Sequence, residues 1–226
     1  MSWNAKPSGA YSIDSTEALE NMDMIYNILT DANMVDTPWT ITAICGMFGN
    51  INAESGFNPW RWQSDSVTYG GGYGLVQFTP AKDTENLNNG YIDGFGTNYA
   101  GYAPNMSVTG ETTGASAFDG QAQILAVDDN AGGKYTSYKR HCNYTDITSV
   151  NTFDDYKQCE DLWVATVGWL FYYEAPADKS YEVAKTRFQY AQQCWEHFTQ
   201  DPPIPPQPPT PSRQRKLPLY MYLRRL

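Results

Sequence analysis

Asn50-Ile51-Asn52-Ala53-Glu54-Ser55-Gly56-Phe57-Asn58-Pro59 closes an apolar run, and Gly72-Tyr73-Gly74-Leu75-Val76-Gln77-Phe78-Thr79-Pro80-Ala81 follows it. Ahead of the first stretch, Ile41, Ile44, Phe48 and Ile51 recur at helical spacing. Thr37-Pro38 reads as the start of that helix, a capping hydroxyl followed by proline at the first helical position. The helix is expected to stop near Gly56, ahead of Pro59. A lone Glu in a helix is usually just solvated. Glu54 differs because it ends an apolar helix at a break, facing whatever the next loop encloses. The adjacent glycines Gly70, Gly71 and Gly72 and the β-type run after them read as a hairpin or extended wall. Glycine there allows close backbone approach, and the Gln77 amide can bridge a ligand.

Working outward, Asp14 or Ser15 caps an expected helix with Leu19, Met22, Ile25, Tyr26 and Leu29 on one face. A long Asn-, Gly- and Tyr-rich loop is expected over 82–116. A helix from about Ala117 to Asp129 carries Ile124, Leu125 and Val127 and ends at Gly132-Gly133. Phe153 to Glu174 reads as one or two helices ending at Pro176. A last helix from about Asp178 to Phe198 places Val183, Phe188, Ala191 and Trp195 at helical spacing. The expected fold class is α+β and predominantly helical, with one small β-hairpin. The expected organisation is a lead-in (1–13), a globular domain (14–200), a proline-rich linker (201–211) and a basic amphipathic tail (212–226). Seven prolines fall within 202–211, a polyproline spacer of about 31 Å if extended.

Composition narrows the function. The 226 residues carry a net charge of −10 and 15% aromatics, with 17 Tyr and 7 Trp. Aromatic surfaces suit sugars and other flat, polar-edged ligands, although a Tyr-rich core gives the same count. Residues 1–200 hold ten Lys/Arg against 24 Asp/Glu, and 201–226 hold five against one. A body that acidic does not track phosphate backbones, so nucleic acid is excluded as a partner. No apolar leader segment is visible in MSWNAKPSGAYSIDS. The longest apolar stretch, Leu162 to Tyr173, is too short to span a bilayer, which takes roughly 20 residues. Synthesis as a cytoplasmic product without a signal peptide is therefore expected. Four cysteines lack CxxC spacing and there are two histidines, so no metal or other cofactor is expected. Buried free thiols are expected, with a Cys142–Cys159 bridge as the alternative.

The pair ESGFNP … GYGLVQFTPA resembles the ESxFxP … GLMQxxPxTA signature of goose-type lysozymes and lytic transglycosylases. It is similar, more closely still, to phage tail-associated lysozymes, which read GN(I/M)xxES-G-xxP and then GxGLxQWT. Phe171-Tyr172-Tyr173-Glu174-Ala175-Pro176 and the Arg187-to-Trp195 helix resemble the FE-x-P … R…A…W/Y ending of that family, and Gln121-x-Gln123 also fits. The resemblance covers about residues 20–198. It implies a lysozyme-like fold with the hairpin beside a cleft.

The resemblance also implies roles. Glu54 would be the general acid that protonates a glycosidic oxygen, its carboxyl kept protonated by apolar neighbours such as Phe48, Ile51, Phe57 and Phe78. Asp65, on the loop between Glu54 and the glycine-rich wall, is the candidate second carboxylate, with a turn-forming Asp as the alternative. The implied substrate-binding set is Ser55, Trp62, Tyr73, Gly74, Gln77, Phe78, Gln123 and Tyr173. Trp60 and Trp62 either stack on sugars or pack the loop, and one of Tyr172 and Tyr173 faces the cleft. Glu174 reads either as a second cleft acid or as a capping or salt-bridged residue. The implied activity is a muramidase cleaving the β-1,4 bond between N-acetylmuramic acid and N-acetylglucosamine in peptidoglycan glycan strands. A lytic transglycosylase and a non-catalytic glycan-binding tail module are the alternatives. The expected setting is a bacteriophage tail or the host wall after release, with residues 212–226 contacting other tail proteins.

Overall fold

The computed structural model describes residues 3–68, 70–81, 91, 116–130, 133–135 and 142–200. Nearly all of the expected loop over 82–116, the proline-rich linker, the tail and His141 lie outside the described residues. What is described is predominantly helical: α1 (Thr16–Thr30), α2 (Ile41–Glu54), α3 (Ser116–Asp128), α4 (Phe153–Lys157), α5 (Leu162–Gly168) and α6 (Tyr181–Thr199). Among the described residues, no helix is long and apolar enough to cross a membrane.

Five of these helices start where a short polar side chain accepts from a free amide. Ser15 caps α1, Asp161 caps α5 and Ser180 caps α6, while Thr152 and Asp155 form a reciprocal capping box on α4. The start expected at Thr37-Pro38 is corrected: Thr40 caps α2, its hydroxyl accepting from the Ala43 amide. Tertiary bonds hold the preceding residues out of the helix. Trp39 N–H donates to the Leu29 carbonyl, Thr40 N–H to the Lys157 carbonyl, and Gln158 Nε2 to the Pro38 carbonyl.

α2 is the central helix, with every residue from Thr42 to Ile51 buried. It packs on α5 and α6, and its glycines permit the contact. A Cβ on Gly46 would stand 2.6 Å from Ala165 Cβ, and one on Gly49 would strike the Arg187 carbonyl oxygen. α1 packs against α3 and more lightly on α2. After α5 the chain widens into a π-helical turn over Trp169–Glu174, closed by Ala175 in the left-handed region at φ 48°.

The expected hairpin is also corrected. Among the described residues, the stretch after Trp62 forms only isolated bridges, Trp62 with Tyr73 and Tyr73 with Phe78, and no strand. A few backbone bonds flank these bridges, Gln63 N–H to the Gly72 carbonyl at 2.9 Å, Gly74 N–H to the Arg61 carbonyl at 2.8 Å and a reciprocal pair between Tyr73 and Phe78, and side chains supplement them. Gln63 Oε1 accepts from Gly72 N–H at 2.9 Å, and Gln123 Oε1 accepts from Leu75 N–H at 2.8 Å. Positive φ at Gly74 (84°) and Gln77 (48°) bends the chain out of extended geometry. The four cysteines are free, with Cys45, Cys159 and Cys194 buried.

Candidate active site

α2 ends where its apolar face meets a polar cavity of about 440 Å³. Glu54 and Glu174 bring two carboxyls to its lining, and Arg61 and Lys134 bring two cations. Gln63, Ser64, Gln77 and Thr79 supply amide and hydroxyl groups on the remaining wall.

Glu54 is set by the helix end itself. The Ser55 N–H still bonds the Ile51 carbonyl at 2.8 Å, and then Gly56 and Phe57, both at positive φ, turn the chain away. The Ser55 hydroxyl is buried and donates to the Leu75 carbonyl at 2.8 Å, tying the helix end to the far wall. Arg187 reaches across from α6. Its Nη2 lies 2.6 Å from Glu54 Oε1, and its Nη1 donates to the Asn50 carbonyl at 3.1 Å. The Arg187 residue is 8% exposed, and the Glu54 side chain 23%, so the pair is shielded from bulk water on the arginine side.

Glu174 arrives on the π-helical turn. The Trp169 indole N–H donates to its Oε1 at 2.9 Å. Burial pushes its carboxyl up to about 7 and the Glu54 charge pushes the same way, against the Trp169 hydrogen bond and the charges of Arg187 and Lys134. Lys134 has its ammonium within 6 Å of the Phe78, Tyr91 and Tyr173 ring centroids. Burial moves its pKa below the ordinary lysine value, opposed by the charges of Glu174 and Glu54.

The wall facing Glu54 hangs on one buried polar knot. The Tyr73 hydroxyl donates to Asp119 Oδ2 at 2.7 Å, and Gln123 Nε2 donates to Asp119 Oδ1 at 2.7 Å and to the Pro59 carbonyl at 2.8 Å. Gly74 lies against the Gln123 amide where a Cβ would collide with it. Burial pushes the Asp119 carboxyl up to about 7, against hydrogen bonds from Tyr73 and Gln123 that favour its charged form. Asn58 ties in the lead-in by donating to the Lys6 and Gly9 carbonyls at 2.9 and 2.8 Å.

Of the residues singled out in the sequence, Glu54 and Gln77 line the cavity, and Gln77 Nε2 is spent on the Arg61 and Gly74 carbonyls. Ser55, Trp62, Tyr73, Phe78 and Gln123 are fully buried behind the lining. Trp62 leans on Tyr73, ring centroids 4.7 Å apart, rather than facing solvent. Tyr173 stacks on Trp169 at 4.0 Å, and its buried hydroxyl has no hydrogen-bond partner among the described residues. Asp65 lies outside the lining, with Oδ1 3.1 Å from Arg61 Nε and accepting from Gly9 N–H at 2.6 Å. Sequence reasoning gave Arg187 no role of its own. Its signal was available, since it sits in the row Val183–Arg187–Ala191–Trp195 as a cation in an apolar stripe. Lys134 and Arg61 carried no such signal. Among the described residues, no group of three or more His, Cys, Asp or Glu is gathered to hold a metal ion.

Comparison with known proteins adds the family. The chain is 54% identical over 44 residues to morphogenesis protein 1 of Bacillus phage B103, a match covering 19% of this chain and 12% of that protein. The matched segment therefore spans about an eighth of that relative's length. A family model described as phage tail lysozyme matches residues 20–198, the span that holds both cavity carboxyls and Arg187. The chain belongs to the phage tail lysozyme family.

Proposed function

We propose that the chain is a peptidoglycan-cleaving glycosidase: a muramidase acting between N-acetylmuramic acid and N-acetylglucosamine, with Glu54 as general acid. One observation carries this reading: Glu54 ends a buried helix at the wall of a polar cavity that holds a second carboxyl. Cleaving a glycosidic bond requires a proton on the departing oxygen, and a carboxyl standing at the cavity wall can supply it. The amides and hydroxyls of Gln63, Ser64, Gln77 and Thr79 match the hydroxyl and acetamido groups of such a sugar.

The activity is placed on the phage particle, held by residues 212–226 to other tail proteins. The strongly acidic residues 1–200 have no electrostatic grip on anionic wall polymers, so delivery by attachment supports the reading. Removal of 212–226 is then expected to leave wall cleavage intact and to abolish co-sedimentation with particles.

The test uses the purified chain and Glu54→Gln on peptidoglycan, with mass spectrometry of the released fragments. Wild type should release disaccharide-peptides, and the variant should be slower by at least about 10²-fold. Products lighter by one water would carry a 1,6-anhydro end and make the enzyme a transglycosylase. No release from several wall types would sink the enzyme reading and leave a glycan-binding tail module.

A further inference from the structure

The Glu54–Arg187 contact poses a problem for the proposed reaction. Guanidinium binds the carboxylate form of Glu54, whereas a general acid must hold a proton when substrate arrives. A proton source is needed within the same cavity, and Glu174 stands there. It lines the same space, and its Oε1 is fixed by the Trp169 indole N–H at 2.9 Å. Its half-buried setting resists a second negative charge in the cavity that already holds Glu54.

We infer that Glu54 and Glu174 share a single proton, and that Glu174 acts through Glu54 as the residue that keeps the acid loaded. This inference rests on the glycosidase reading. The step moves one proton only. The O–H bond of Glu174 breaks, an O–H bond forms on Glu54, and the negative charge passes to Glu174, where the charge of Lys134 on the same cavity wall favours it. Glu54 then protonates the departing glycosidic oxygen. Glu174 is therefore a positioning residue, acting on the protonation of Glu54 rather than on the sugar.

The charged and titratable groups around Glu174 fit this division. Glu54 comes from α2, Arg187 from α6 and Lys134 from the segment before Tyr135. The phenols of Tyr156 on α4 and neighbouring Tyr173 feel the Glu174 charge and are held well above the ordinary tyrosine value, mainly by burial, so they stay neutral. Arg61 is occupied with Asp65 on the opposite wall. Burial first and the Glu54 charge second raise Glu174 to about 7 against Trp169, Arg187 and Lys134, so the shared proton is retained at acid pH and lost as pH rises through neutrality.

The test compares pH profiles of kcat/KM for wild type, Glu54→Gln and Glu174→Gln. Gln is nearly isosteric with Glu and keeps an acceptor for the Trp169 N–H. Glu174→Gln should retain activity near pH 5 to within about threefold, yet lose about eightfold by pH 7.5, because its alkaline limb moves down about a pH unit. Glu54→Gln should be inactive throughout. A uniform loss with an unchanged profile would make Glu174 merely structural and overturn the inference while leaving the glycosidase reading intact. Inactivity of Glu174→Gln at every pH, matching Glu54→Gln, would overturn it too, because Glu174 would then be the donor itself. Carbon-13 titration of the labelled glutamate carboxyls in wild type decides the matter without turnover. Two carboxyls responding together to one protonation near neutrality support the shared proton, and independent titrations reject it, even if the chain cleaves no wall.

Discussion

On one side of the cavity α2, α5 and α6 meet almost backbone to backbone, while on the other residues 57–81 combine a few backbone bonds of their own with side chains that complete them. The helical side satisfies its own amides and carbonyls, so its stability is a matter of fit. Gly46 and Gly49 let α2 seat against Ala165, Ala191 and the Arg187 carbonyl. The loop side has only a few such backbone bonds, between Arg61 and Gly74, Gln63 and Gly72, and Tyr73 and Phe78. Gln63, Gln123, Ser55 and Asn58 each bond backbone groups, and Gln123 alone holds the Leu75 amide and the Pro59 carbonyl. A site between the two inherits rigidity for its carboxyls from one side and shape for its substrate from the other.

The largest effect should come from the helical side. In Gly49→Ala the new methyl would have to displace α6 at Arg187 and Ala191, and overpacking of that kind costs about 3 kcal/mol. The urea midpoint should fall accordingly with little change in slope. Activity should fall with it, since α6 carries the Glu54 partner. A neutral Gly49→Ala would show that α2 and α6 are held less closely than the contact implies.

Gln123→Leu should cost less, about 2 kcal/mol, because it orphans the buried Leu75 N–H and Pro59 carbonyl and leaves Asp119 with one donor fewer. Its damage should also be local. Limited proteolysis between residues 59 and 76 should speed up while the helical ellipticity stays near wild type, an asymmetry that Gly49→Ala should not show. Equal global loss in both variants would break the distinction between the two walls.

Asp119 gives the loop side a pH dependence that fit alone cannot. Its folded-state pKa, raised to about 7 from 3.8 mainly by burial, lies above its unfolded value. The folded chain therefore holds the proton where the unfolded chain has lost it, and stability falls as pH rises from about 4 to about 7. The slope is at most about 1.4 kcal/mol per pH unit for this one group. Glu174, also raised to about 7, adds a slope of the same sign. Asp119→Asn should make the dependence shallower without removing it, as read from urea midpoints across that range.

The same contrast explains what could be read from the sequence. Helical spacing marked α1, α2, α3 and α6 because apolar periodicity is a local record of burial, and the break after Glu54 fixed where the carboxyl would stand. Thr37-Pro38 misled because a better-placed hydroxyl, Thr40, became available once Trp39 and Pro38 were held by Leu29 and Gln158. The glycine-rich run reads as a hairpin because its pairing stops at isolated bridges only in three dimensions, where the Leu75 amide turns instead to Gln123, some fifty residues further on. The implied substrate-binding residues Trp62, Tyr73 and Gln123 sit instead in the packing behind the lining. Glu174 was read with two possible roles because its delivery depends on a widened turn, and that widening leaves no periodic trace.

The smallest expected effect also bears most directly on the choice of second carboxyl. Asp65 is half-exposed, in a turn where Ser64 and Asp65 both adopt positive φ, and its carboxylate is divided between Arg61 and the Gly9 amide. An exposed pair of this kind contributes less than about 1 kcal/mol. Asp65→Asn keeps an acceptor for Gly9 and gives up only the charge facing Arg61, so stability should change by about 0.5 kcal/mol. The freed Arg61 remains on the cavity wall, where any change in its reach should appear in KM rather than kcat. If kcat instead collapses as it does for Glu54→Gln, the turn at Asp65 must close onto the substrate. The loop side would then supply chemistry as well as shape, and Glu174 would lose its standing as the second carboxyl.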